Sequence, residues 1–131
     1  MNFPVELMYA KSHEWVKKME NGLFEIGISD YAQNEMGDIV YVNLPKAGDE
    51  LKAGTSFAEV ESVKAVSDIL SPINGTVKEV NEALLSAPES INKAPYESWF
   101  IRAEGSVPEG TLLSAEEYGV VNSKQIVSSN H

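Results

Sequence analysis

Apolar and polar positions along this chain alternate in short runs. From Phe57 to Ser62, Ala58, Val60 and Ser62 alternate with Phe57, Glu59 and Glu61, the two-residue period of a strand with one buried face. Residues 7–10 predict a short edge strand. Residues 13–20 set Trp15 and Met19 against more polar neighbours, and residues 23–28 put Phe24, Ile26 and Ile28 on one face. Asn21-Gly22 between them is a strong hairpin signal, because both residues tolerate positive φ. Residues 38–44 form a β-branched run stopped by Pro45, residues 46–49 a turn, and residues 51–54 a short extended piece with a second turn. Further strands are expected over 75–81 and 98–103.

Helical signals are few and short. Asp30 with Gln33 three residues on has the form of an N-cap, predicting two turns to about Glu35, ended by Gly37. Ser86-Ala87-Pro88-Glu89 reads as a capping box with proline in the first turn, for a short helix through Asn92 that Pro95 breaks. Ser114-Ala115-Glu116-Glu117 opens a C-terminal helix through about Val121, and residues 124–131 read as a frayed polar tail. The sum is an all-β fold with small helices, a sandwich or flattened barrel of antiparallel sheets. Residues 37–43 and 75–81 both run from a glycine through a β-branched strand to an asparagine, which fits a quasi-twofold of such a barrel and fits coincidence equally well.

Length fits one domain over 1–131, with a core over about 7–121 and a tail over 122–131. Twenty acidic and ten basic residues give a net charge of −10. That argues against nucleic-acid binding, which needs a positive surface, and fits a soluble protein that docks on basic patches of its partners. Cysteine is absent, so the chain has neither a disulfide framework nor a thiol nucleophile of its own. No stretch approaches the roughly 18 apolar residues of a membrane span. The N-terminus lacks the charged and apolar segments of a targeting peptide, so a cytoplasmic location is expected.

Candidate chemistry centres on Glu61-Ser62-Val63-Lys64-Ala65-Val66-Ser67-Asp68, read as a hairpin tip that presents Lys64. An isolated loop lysine is ordinarily a solvated charge. The octapeptide in context, however, resembles the lipoyl-attachment motif of the glycine cleavage system H proteins. Similarity continues through Ser12-His13-Glu14-Trp15, residues 27–33, residues 37–42, Leu44-Pro45, residues 72–75, residues 80–84, Asn92, Pro95-Tyr96 and Trp99. One departure is that Tyr96-Glu97-Ser98-Trp99 lacks the glycine that the family often places before the closing tryptophan, so the turn there is expected to be shorter or differently bent.

The resemblance implies a lipoyl/biotinyl-domain-like barrel-sandwich and a carrier rather than an enzyme. It implies (R)-lipoate in amide linkage on Lys64, which removes the lysine charge. It implies an aminomethyl group moved from the pyridoxal-phosphate glycine decarboxylase to the tetrahydrofolate-dependent aminomethyltransferase, then reoxidation by dihydrolipoamide dehydrogenase. A tether keeps such an intermediate near successive active sites. The resemblance further assigns Glu61 and Gly75 to recognition by the attaching enzyme, a lipoate ligase or a lipoyl/octanoyl transferase. It assigns Ser12, Glu14 and Asp68 to a cleft holding the loaded arm, whose terminal ammonium suits a hydroxyl and carboxylates. The plain alternative for each is a solvated side chain, or for Gly75 a turn.

His13 reads as structural, with no second histidine at metal spacing, and Trp15 and Trp99 read as packing residues. The glycines form neither a dinucleotide fingerprint nor a P-loop. Biotin carriers favour methionines where Val63 and Ala65 stand, and dehydrogenase lipoyl domains usually place an acid directly before the lysine. A lipoyl relay to 2-oxo-acid dehydrogenases and an unmodified binding module are the remaining alternatives. A mobile shuttle is expected to be a monomer.

Overall fold

A computed structural model describes residues 2–120. Its strands are β1 (Met8–Ala10), β2 (Glu14–Lys18), β3 (Phe24–Ile28), β4 (Ile39–Asn43), β5 (Glu50–Leu51), β6 (Ser56–Ser62), β7 (Val66–Leu70), β8 (Asn74–Val80), β9 (Ile101–Ser106) and β10 (Leu112–Leu113). Short helices α1 (Asp30–Met36), α2 (Ala83–Ser86) and α3 (Ser90–Lys93) join them, and a last helix, α4, occupies 115–120.

All strand pairs are antiparallel. Seven strands form one sheet in the order β10-β1-β2-β3-β9-β8-β5, and three form another in the order β4-β6-β7. The main core lies between them. Val16, Ile26, Val77 and Ile101 of the large sheet pack with Ile39, Val42, Ala58, Val60 and Ile69 of the small one. Alternation in β6 is as expected: Ala58, Val60 and Ser62 are buried, while Glu59 and Glu61 are exposed.

The large sheet is covered on both faces at β1–β3, which is why its alternation is weak in the sequence. Val16 and Ile26 pair and face the main core, whereas the neighbouring pair Trp15 and Gly27 faces a second cluster with Leu7, Tyr9, Ala115 and Tyr118. Trp15 lies flat on Gly27, where an added Cβ would come within 2.6 Å of the ring. Its indole N–H donates to the Pro95 carbonyl at 3.1 Å. Met19 falls outside the strand, in a loop with Gly22 at φ 85°. β1 is not an edge: β10, absent from the strand pattern of the sequence, covers its outer side.

Three capping expectations met different fates. Ser29, not Asp30, caps α1, accepting from the Ala32 N–H, while Asp30 instead accepts from the Gln33 amide at 2.7 Å. Ser86 makes no box: it closes α2, and α3 starts after Glu89 without a side-chain cap. Ser114 and Glu117 do form the reciprocal box of α4, at 3.0 and 3.1 Å. Residues 121–131, including the expected helix end and polar tail, lie outside the described residues. Where the family's glycine is missing, the Ala94 carbonyl accepts from both Glu97 and Ser98 N–H groups, and the buried Ser98 hydroxyl donates to the Ser90 carbonyl at 2.9 Å.

The two similar stretches fall in different sheets, and their glycines do different work. Gly37 ends α1 at φ 78°. Gly75 packs face to face with Gly105, and a Cβ on it would sit 1.9 Å from the Glu104 carbonyl oxygen. No described helix is long and apolar enough to cross a membrane.

Candidate functional site

Lys64 stands exposed at the tip of the β6–β7 hairpin. Ser62 builds that tip. Its backbone N–H donates to the Ala65 carbonyl at 2.9 Å, and its hydroxyl accepts from the Lys64 and Ala65 N–H groups at 3.2 and 3.3 Å. Neither Val63 nor Lys64 has positive φ, so the turn needs no glycine. The Val63 N–H donates to the Asp38 carbonyl at 3.0 Å and ties the tip to the start of β4.

Under the lysine lies the C-terminal end of α1. Gly37 sits there at φ 78°, and a Cβ on it would meet Lys64 Cε at 3.4 Å, an ordinary contact distance, so the lysine stem packs beside this residue and the left-handed turn is what calls for glycine. Asn92 holds this floor from α3: its amide donates to Gln33 Oε1 and to the Gly37 carbonyl, each at 2.9 Å, and its Oδ1 accepts from the Ile39 N–H. No carboxylate pairs with Lys64 among the described residues. The amine is presented without a counter-ion.

An open groove of about 400 Å³ starts at this lysine. Ser62, Ala65 and Ser67 form its hairpin wall, Tyr31, Ala32, Glu35 and Met36 its α1 wall, and Ser12 with His13 its far end. Ser12 also lines an adjoining pocket of about 470 Å³ with Leu70, Ser71 and Pro72. The four steps of strand from Val66 to Leu70 cover about 13 Å, so the two grooves together extend well past a bare lysine's reach.

Ser12 donates a hydrogen bond to Glu14 Oε1, and Glu14 is only 2% exposed. Burial pushes the Glu14 carboxyl up to about 7, against the opposing effect of hydrogen bonds from Ser12 and from backbone N–H groups, among them that of Leu70. The groove end is therefore a hydroxyl backed by a carboxyl that titrates near neutrality. The structure brings Ser12 and Glu14 together and leaves Asp68 elsewhere. Ser67 faces the groove, so the strand period turns Asp68 to the exposed outer face, opposite Glu59 and 3.4 Å from the Ser56 hydroxyl. Glu61 shares that outer face beside the tip, while Gly75 lies in the other sheet, where packing alone demands a glycine.

His13, Tyr31 and Glu35 were not singled out from the sequence as groove residues. Tyr31, Ala32, Glu35 and Met36 repeat at one-turn spacing on a single face of α1, a legible signal. His13 has φ 80°, and only the structure reveals it. Its Nδ1 lies 2.7 Å from the Tyr118 hydroxyl, itself 2.6 Å from Ser29 Oγ, and its ring packs 4.7 Å from Tyr31. Burial lowers the imidazole pKa, with the Glu35 charge opposing.

The profile of the family described as glycine cleavage H-protein matches residues 7–125. The glycine cleavage system H protein of Lachnoclostridium phytofermentans is 51% identical over 112 residues, spanning 86% of this chain and 88% of that one. That of Opitutus terrae is 52% identical over 121 residues, spanning 90% and 95%. The crystal structure of a glycine cleavage system H protein from Mycobacterium marinum superposes with a TM-score of 0.86 at 35% identity, covering 92% of this chain and 99% of that chain.

Proposed function

The chain belongs to the glycine cleavage H-protein family, whose members are carriers rather than enzymes, and we propose that Lys64 is the point where its lipoyl group is attached. The observation that carries this reading is an exposed lysine, held on a Ser62-braced tip, at the mouth of a groove longer than its own side chain. The residues present fit the group. Ala32, Met36 and Ala65 supply apolar surface for a methylene chain beside the lysine, and Ser12, backed by the buried Glu14, supplies a hydroxyl at the far end. A lipoyl group, when bound, supplies the disulfide that receives the aminomethyl group of glycine and the accompanying electrons.

The protein's own part is presentation and shelter. Ser62 and Asn92 fix the tip and its floor. Gly37 packs beside the stem. Ser12 receives the cargo's ammonium, and Glu14 behind it supplies the negative charge, giving up its proton as the positive charge arrives. Asp68, on the outer face, takes no part in this clamp. The partners are the glycine decarboxylase, the aminomethyltransferase and dihydrolipoamide dehydrogenase, together with the enzyme that attaches lipoate and reads Glu61.

Reconstitution with a glycine decarboxylase tests the reading. Protein incubated with a lipoate ligase, ATP and lipoate supports glycine-dependent exchange of labelled bicarbonate, and Lys64→Arg, treated alike, does not. Equal support by Lys64→Arg overturns it.

A further inference from the structure

Eight large apolar side chains are strongly exposed among the described residues, and four of them surround Lys64: Val40 at 53%, Tyr41 at 54%, Val63 at 66% and Val66 at 60%. They form one surface. Tyr41 pairs with Glu61 and Glu61 with Val66, which makes a continuous row across the outer face of the small sheet. Val40 sits in the irregularity between Ile39 and Tyr41, and Val63 is tied to the adjacent Asp38. This face points away from the groove, whose hairpin wall is built from Ser62, Ala65 and Ser67. An arm lying in the groove leaves it uncovered.

Apart from Lys64 itself, the charges around this surface have one sign. Asp38, Glu59, Glu61 and Asp68 are exposed near it, and β4, β6 and β7 contain neither lysine nor arginine. A cluster of exposed apolar side chains with a charged rim marks a contact surface.

The reach of Lys64 says which partner covers it. A lysine ammonium extends only roughly 6 Å from its Cα, given five bonds of about 1.5 Å. An enzyme that acts on the amine itself must therefore close over the residues beside it. Enzymes that act on the distal end of a long arm need not. We propose that Val40, Tyr41, Val63 and Val66 are the docking surface for the enzyme that acylates Lys64, and that its matching surface is apolar with a basic rim. This rests on Lys64 being the attachment point. In the step concerned, Lys64 Nζ bonds to the carbonyl carbon of an activated lipoyl or octanoyl donor. The bond from that carbon to its leaving group breaks, and the ammonium gives up two protons. No redox change occurs.

Tyr41 is the expected anchor, since tyrosine buries a large rigid surface at small entropic cost. The test uses the full chain, a lipoate ligase, ATP and lipoate, with acylation followed by intact mass. Tyr41→Ser and Val66→Ser are each expected to lower kcat/KM for acylation about tenfold, and the pair further, with unchanged thermal melting. Val5→Ser, at an exposed apolar residue outside the small sheet, is expected to leave it unchanged. Once driven to full acylation, both variants should support glycine-dependent bicarbonate exchange within about twofold of the parent. Parent protein that takes no acyl group on Lys64 overturns the attachment reading. Parent that is acylated, with variants acylated at its rate, overturns the docking surface alone. An equal loss in acylation and in exchange overturns the assignment to the acylating enzyme.

Discussion

Replacing Glu14 by glutamine should make the protein more stable at alkaline pH and remove part of its pH dependence. In the fold the carboxyl is buried and titrates near 7, against an ordinary value of 4.5. Because the folded value is raised, the native state holds a proton that the unfolded chain has released between these limits. Stability therefore falls as pH rises from about 4.5 to about 7, and levels off above. The difference of about 2.5 pH units, at 1.36 kcal/mol each, is on the order of 3 kcal/mol. Glutamine keeps the acceptor that Ser12 and the Leu70 N–H use, and it carries no charge to bury. The assay is urea unfolding of both proteins at several pH values from 4 to 9, read as the difference between them, which cancels every other titrating group. That difference should grow by about 3 kcal/mol in favour of Glu14→Gln between pH 4.5 and 8. A difference that stays flat across this range refutes the reasoning. A stabilised variant that also releases cargo ammonium faster would show that the buried carboxyl is kept for carriage at a cost in stability.

Three further outcomes follow from the geometry. Gly75→Ala places a methyl against the Glu104 carbonyl and should cost about 3 kcal/mol, read by denaturant unfolding, while its folded fraction is acylated at the parent rate. A selective loss of acylation would instead give Gly75 a recognition role. Ser114→Ala removes the capping box of α4 and should cost about 1 kcal/mol. Because α4 carries Tyr118, the same change should shift the His13 imidazole NMR signals, and unchanged signals would disconnect that helix from the groove. Arg102→Met leaves the largely buried Glu25 without the guanidinium now 2.9 Å away and should cost about 3 kcal/mol, whereas Glu25→Gln combined with Arg102→Met should recover part of it.

The hairpin and its lysine were legible because β6 alternates cleanly, one face in the core and the other in water. The glycine turns and the Ser114 box were legible for the same reason: each signal is local. What escaped depends on contacts distant in sequence. β2 and β3 are buried on both faces, so Glu14, which shares the face of Val16, looks like a surface acid until the small sheet and its Leu70 N–H are in place beside it. Ser86 and Pro88 carry a capping signal, yet α2, whose Leu84 is buried, extends through Ser86 and takes it as its last residue. Asp68 matched a family position, but its side of the strand follows from register with Glu59, which only the paired structure displays. His13 owes its place in the groove to a left-handed backbone and to Tyr118, 105 residues away.

The central claim is that one lysine carries the prosthetic arm. Fragmentation mass spectrometry of protein incubated with lipoate ligase, ATP and lipoate reads it directly. A single lipoyl adduct should appear, confined to the peptide containing Lys64, and Lys64→Arg should stay unmodified. An adduct on any other lysine, or an unmodified Lys64 under conditions that fully acylate another H protein, would contradict the account.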